Sequence, residues 1–194
     1  MSKQLGFAIE QNRCMGCKAC QIACKDKNNL GVGQFFREVI EVEGGSYLEQ
    51  GAALKPQVYA YWISLSCNHC QKPACLTVCP VDAITKREED GLVIIEQKKC
   101  IGCRKCEQSC PYDAPQYLKK DKQVAKCDYC IELVKQGKKP TCVAACPMRA
   151  LDAASIAQLE KEYDGIKQVK EVTKSVTNPS IIIVPHSAIK NNYS

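Results

Sequence analysis

Residues 100–111 read CIGCRKCEQSCP, four cysteines within eleven residues followed by a proline. The spacing, C-x2-C-x2-C-x3-C-P, is too tight for unstrained disulfides, because two cysteines separated by two residues seldom meet bridging geometry. Such a run is the pattern with which a loop wraps one face of an iron–sulfur cube while the last cysteine points to a neighbouring one. Zinc knuckles also use C-x2-C pairs, but they need two separated pairs rather than three consecutive steps.

Working outward, all sixteen cysteines of the 194-residue chain fall into four groups of four. The first is Cys14, Cys17, Cys20 and Cys24; the second Cys67, Cys70, Cys75 and Cys79; the third Cys100, Cys103, Cys106 and Cys110. The fourth, Cys127, Cys130, Cys142 and Cys146, is stretched by an insertion. IEQNRCMGCKACQIAC from Ile9 aligns with IEQKKCIGCRKCEQSC from Ile95, and KPACLTVCPVDAI from Lys72 with KPTCVAACPMRAL from Lys139. The chain therefore reads as a duplicated two-group unit.

Short strand-like segments, Gly6 to Ile9 and Leu92 to Ile95, precede the first and third groups, and helix-tolerant residues follow their third cysteines. VDAITKREEDGLVII after Pro80 reads as strand, turn closing on Gly91, and strand. Val58 to Leu65 reads as a strand leading to Cys67, Ser155 to Tyr163 as a short amphipathic helix, and Ile181 to Val184 as an extended tail segment. This alternation predicts an α+β fold of two ferredoxin-like modules. Residues 1–24 with 120–152 form the outer module and 67–119 the inner one, with an insertion at 25–66 and a C-terminal extension at 153–194.

In two-cluster ferredoxins the fourth cysteine of each group ligates the other group's cluster. The expected ligand sets, one [4Fe–4S] cluster each, are therefore crosswise. Cys14, Cys17, Cys20 and Cys146 form set 1; Cys67, Cys70, Cys75 and Cys110 set 2; Cys79, Cys100, Cys103 and Cys106 set 3; Cys24, Cys127, Cys130 and Cys142 set 4.

Only 6% of the residues are aromatic, so the cysteines must help hold the fold together. The net charge of +6 is scattered and forms no basic stripe for nucleic acid. Four cubes with their thiolates would contribute roughly −8 and bring the loaded protein near neutrality. The first residues carry no apolar signal region, and no run reaches the roughly 20 apolar residues of a membrane span. Lys18, Arg104 and Lys105 lie inside cysteine loops, where they would raise cluster potentials or simply face solvent. His69 reads as a packing residue, since a Rieske site needs two histidines. Tyr61, Trp62 and Tyr112 read as shielding or core. No catalytic acid/base pair or nucleophile motif stands out.

RCMGCKAC, SCNHC, CIGCR, CPYDAPQY, KCDYC, GKKPTCVAACPMRALD and the NPSIIIVP tail together resemble the iron–sulfur subunit of the dimethyl sulfoxide reductase type, in the molybdenum bis-pterin oxidoreductase superfamily. The resemblance covers nearly the whole chain. It implies an electron-transfer subunit, not catalytic alone, of an anaerobic respiratory reductase. The implied partners are a catalytic subunit holding the molybdenum bis-pterin cofactor and an integral membrane anchor that oxidises quinol. It also implies a place on the periplasmic face by co-export with a signal-bearing partner, the set 1 cluster nearest the catalytic subunit, and the crosswise ligand sets. In the nitrate reductase branch the place of Cys106 is a non-ligand and that cluster has three irons; a cysteine here implies a full cube. The other readings are a polyferredoxin-type subunit of a formate dehydrogenase or hydrogenase complex and, in a different class, a zinc-stabilised interaction scaffold.

Overall fold

In this computed structural model residues 3–165 and 175–188 are described. β1 (Leu5–Glu10) is buried along almost its whole length and forms the middle of a three-stranded sheet. On one side it pairs antiparallel with β10 (Leu151–Ser155), with Phe7 opposite Ala153. On the other it pairs in parallel with β11 (Ile181–Val184), with Phe7 opposite Ile181. A strand buried on both faces needs continuous apolar residues, which both LGFAIE and IIIV provide.

The insertion is a long hairpin. β2 (Arg37–Gly44) pairs antiparallel with β5 (Tyr59–Ser66), and a distal pair, β3 (Tyr47–Gln50) with β4 (Ala53–Pro56), is exposed throughout. Two further short hairpins follow the second and third cysteine groups: β6 (Ile84–Lys86) with β7 (Val93–Ile95), and β8 (Gln116–Leu118) with β9 (Gln123–Ala125). The expected strands at Gly6–Ile9 and Ile181–Val184 thus lie in β1 and β11, and those at Val58–Leu65 and Leu92–Ile95 match β5 and β7 except that each observed strand starts one residue later. The expected amphipathic helix is α6 (Ile156–Glu162), started by a reciprocal cap between Ser155 and Gln158.

The remaining helices are short and serve the cysteines. They are α1 (Ala19–Lys27), α2 (Ala74–Thr77), α3 (Lys105–Ser109), α4 (Ile131–Val134) and α5 (Thr141–Ala144). In every group the third cysteine, Cys20, Cys75, Cys106 or Cys142, is the second residue of its helix, so helix entry and ligand position coincide. Pro73 and Pro140, shared by the KPAC and KPTC repeats, supply the extended residue before α2 and α5. Helix α1 packs on α5, and α2 on α3, which brings group 1 to group 4 and group 2 to group 3.

The core is correspondingly rich in sulfur. Its largest cluster packs Cys20, Cys24, Cys67, Cys127 and Cys142 among Phe7, Ile9, Ile63, Leu92 and Tyr129. A second sets Cys75 and Cys106 among Ile84, Val93 and Val124.

Gly102, in the opening stretch, has φ +68°, and a Cβ there would lie 2.2 Å from the Lys122 carbonyl oxygen. Gly102→Ala is expected to cost about 1–3 kcal/mol, combining left-handed strain with that clash. Gly33→Ala, at φ +73° with open space around it, should cost less. Thermal unfolding of the two variants checks the difference.

Candidate iron–sulfur centres

Each cysteine loop is built on the same backbone device. The residue before the second cysteine of every group has a left-handed conformation: Gly16 at φ +69°, His69 at +40°, Gly102 at +68° and Tyr129 at +65°. A left-handed residue inside a tight turn aims successive backbone N–H groups into the concave side, where they favour an anion. Glycine adopts it freely; His69 and Tyr129 do so only because packing holds them. These two equivalent residues of the duplication meet edge to face, ring centroids 5.7 Å apart. The Tyr129 hydroxyl donates to the Gly6 carbonyl at 2.6 Å, and its ring lies 4.6 Å from that of Phe7.

A second device follows the last cysteine. In CPVDA, CPYDA and CPMRA the proline leaves the chain free to turn, and Asp82, Asp113 and Arg149 are left-handed at φ +48°, +51° and +53°. The alanine N–H then points back at sulfur: Ala83 to Cys79 Sγ and Ala150 to Cys146 Sγ, each 3.3 Å, and Ala114 likewise to Cys110. This gives the alanine shared by the repeats that begin at Lys72 and Lys139 a physical reason. Group 1 lacks the proline, so α1 runs on through Cys24, and the Asn28 side-chain amide serves instead, 3.6 Å from Cys24 Sγ.

The fold gathers the cysteines crosswise. Cys67, Cys70, Cys75 and Cys110 line one cavity. Cys79, Cys100, Cys103 and Cys106 line a second. Cys14, Cys17, Cys20 and Cys146 line a third. The other four act on one another electrostatically: Cys24 with Cys142 and Cys130, and Cys127 with Cys142 and Cys24. This last set is central, since Cys127 also faces Cys67 and Cys142 also faces Cys20.

Burial, followed by the neighbouring thiols, pushes the Cys24 and Cys75 thiols up to about 12. Burial also moves Cys70 and Cys106 to about 11 and holds Cys127 well above the usual thiol range. The isolated thiols therefore stay protonated at neutral pH, and a bound metal group must displace those protons. The donor set fits an anionic cluster: four sulfurs per centre, inward N–H groups and two buried cations described below. No three or more Cys, His, Asp or Glu among the described residues close around a single ion, as a tetrahedral zinc site would require.

The other candidates take plain roles. His69 is fully buried; its Nδ1 accepts the Val93 N–H at 3.1 Å, and burial with the Lys126 and Lys86 charges holds the ring neutral. Trp62 lies against Gly16, covering the first loop, and Tyr61 is buried. The Tyr112 hydroxyl meets the Thr177 hydroxyl at 2.9 Å beside the Cys67 cavity. Arg104 is exposed, pairs with Glu107 and sits over the Tyr117 ring; Lys105 and Lys18 are exposed too.

Three residues were not singled out from sequence. Arg37 and Lys126 are buried cations without a carboxylate partner among the described residues. Thr177 comes from the tail, which returns over group 2 as Gln71 and Lys72 donate to the Asn178 and Thr177 carbonyls. The signal available for it was the NPSIIIVP tail itself; for Arg37 there was none.

These loops, cavities and donors define an iron–sulfur protein of the ferredoxin type. Residues 58–156 match the 4Fe–4S dicluster domain family and residues 11–29 the 4Fe–4S binding domain family. Over 188 residues the sequence is 44% identical to one of the chains of anaerobic dimethyl sulfoxide reductase from Escherichia coli, covering 96% of this chain and 91% of that one. It is 32% identical over 189 residues to a putative dimethyl sulfoxide reductase iron–sulfur subunit of Halobacterium salinarum, covering 82% and 71%. With one of the subunits of sulfite dehydrogenase from Allochromatium vinosum it shares 34% over 168 residues, covering 76% and 67%. The chain itself belongs to the family of dimethyl sulfoxide reductase iron–sulfur subunits. It is an electron-transfer subunit rather than a catalyst in its own right. No helix among the described residues is long and apolar enough to cross a membrane.

Because the folded thiols ionise above their ordinary value, the iron-free chain gains stability from them below about pH 9 and loses it as pH rises toward 12. Melting curves of chelated and loaded protein over that window should diverge, with only the chelated form carrying this slope.

Proposed function

We propose that this chain relays electrons from a quinol-oxidising membrane anchor subunit to a molybdenum bis-pterin catalytic subunit of an anaerobic reductase of the dimethyl sulfoxide reductase type. Four [4Fe–4S] clusters are held by the crosswise sets: Cys14, Cys17, Cys20 and Cys146; Cys67, Cys70, Cys75 and Cys110; Cys79, Cys100, Cys103 and Cys106; Cys24, Cys127, Cys130 and Cys142. The observation that carries this reading is the grouping of twelve cysteines, four to a cavity, in three cavities. Bound clusters would supply one-electron storage at successive points through the chain.

The chain's own residues do the rest. They fix four sulfurs per centre, turn N–H groups toward them and exclude water with Trp62, Tyr129 and the tail. The central set of Cys24, Cys127, Cys130 and Cys142 lies between those of Cys14 and Cys67, and Cys75 shares a core with Cys79, Cys100 and Cys106. This gives a linear order with the Cys14 set at one end, which we assign to the catalytic partner, and the Cys79 set at the other, assigned to the anchor. We read residues 67–119 as the inner unit and 1–24 with 120–152 as the outer, 25–66 as the insertion and 153–194 as the extension. The hairpin of β8 and β9 bridges the 119/120 junction and β10 the 152/153 junction. The complex is peripheral to the cytoplasmic membrane, on the periplasmic face.

Anaerobically prepared protein should contain about sixteen iron and sixteen acid-labile sulfide per chain. Zinc without sulfide would overturn the assignment. Co-purification with a large pterin-containing chain and a polytopic membrane chain is expected from the native membrane. Cys106→Ser should convert one centre to a three-iron form, seen by electron paramagnetic resonance; a stoichiometric three-iron centre in the unaltered protein would exclude the fourth cube.

A further inference from the structure

Arg37 is the first residue of β2 and is only 2% exposed. Its guanidinium lies 4.5 Å over the Phe7 ring. Nη1 donates to the Ser64 carbonyl at 2.9 Å and to Ser64 Oγ at 3.2 Å, while Nη2 donates to Ser66 Oγ at 2.9 Å. Nε finds no protein partner among the described residues although it is buried. Burying a permanent charge this completely is costly unless an opposite charge faces it, and no carboxylate among the described residues does. What faces it is sulfur: Cys142, Cys127, Cys20 and Cys24 all feel its charge.

The duplication explains the position. Ser66, immediately before Cys67, occupies the place that Lys126 holds immediately before Cys127 in the second repeat. Lys126 is buried there, with its ammonium on the Val93 and Cys127 carbonyls and beside Cys67. The first repeat has only a serine at that place, and Arg37 reaches in from the inserted hairpin to the same serine.

Ser64 extends the connection. Its hydroxyl, 1% exposed, accepts from Arg37 and lies 3.3 Å from Cys20 Sγ. Since the arginine can only donate, the serine's own hydrogen is free for the sulfur. A hydrogen bond to a ligating sulfur and a cation nearby both favour the reduced, more negative state of a cluster.

We propose that the insertion is an electrostatic tuning element: Arg37 raises the reduction potentials of the two centres that include Cys20 and Cys24, and adds to the first of them through Ser64. Arg37 and Ser64 are positioning residues acting through sulfur. The inference rests on the cluster assignment proposed above.

The test is a potentiometric titration of the intact complex followed by electron paramagnetic resonance, with Cys20→Ser used beforehand to assign the signal of the Cys20 centre. Ser64→Ala should lower the potential of that centre alone. Arg37→Met should lower it and that of the Cys24 centre, leaving the Cys79 centre unmoved, and Arg37→Lys should restore most of the loss. Should Arg37→Met fail to assemble, Ser64→Ala and Arg37→Lys still carry the measurement. Full cluster signals with unchanged potentials in Ser64→Ala and Arg37→Met overturn the inference; absence of cluster signals from the unaltered protein overturns the cluster assignment instead.

Discussion

The structure depends on one constraint: sixteen sulfurs, which would carry negative charge in the proposed clusters, have to be held largely inside a small protein, so positive groups must be turned toward them. The backbone does most of this. A left-handed residue before each second cysteine, and another before the alanine in each Cys-Pro turn, aim N–H groups at sulfur without any side chain. Helices α2, α3 and α5 obey the same requirement, each beginning one residue before its cysteine and ending soon after the ligand is placed. Aromatic poverty follows, because much of the volume an aromatic core would fill is occupied by sulfur and its cavities.

What was legible in the sequence is what is local. Cysteine spacing, the repeat and the flanking strands act over a few residues, so the four groups and β1, β5, β7 and β11 could be placed from the chain alone. The crosswise gathering was legible only through knowledge of how ferredoxins close. The two left-handed positions occupied by His69 and Tyr129 were hidden, since glycine marks this conformation in the other two loops and bulky residues do not. They are held by contacts distant in sequence: Val93 on the imidazole and Gly6 on the phenol.

The residues that reading along the chain passed over come from the insertion and the tail. Arg37 is one of 27 basic residues, and nothing in REVIEVEG distinguishes it from Lys18 or Arg104, which sit inside the cysteine loops yet are more exposed. Only the pairing of β2 with β5, which sets Arg37 opposite Ser66, reveals it as interior. Thr177 is likewise a tail residue until the chain folds back over the second group. Charge near a metal-binding sulfur is decided by topology, and proximity in sequence to a cysteine is a poor guide to it.

The central sheet has a bearing on biogenesis. β1 is made well before both its neighbours, β10 and β11, which lie far along the chain, and Cys146 of the Cys14 cavity lies just before them. Until those strands are made β1 has neither edge satisfied, and the three cysteines that follow it have no fourth companion in their cavity. The second and third cysteine groups can meet once residues 67–110 have been synthesised, whereas the first must wait for the fourth, much further along the chain. The two halves of the sulfur framework are thereby assembled at different times.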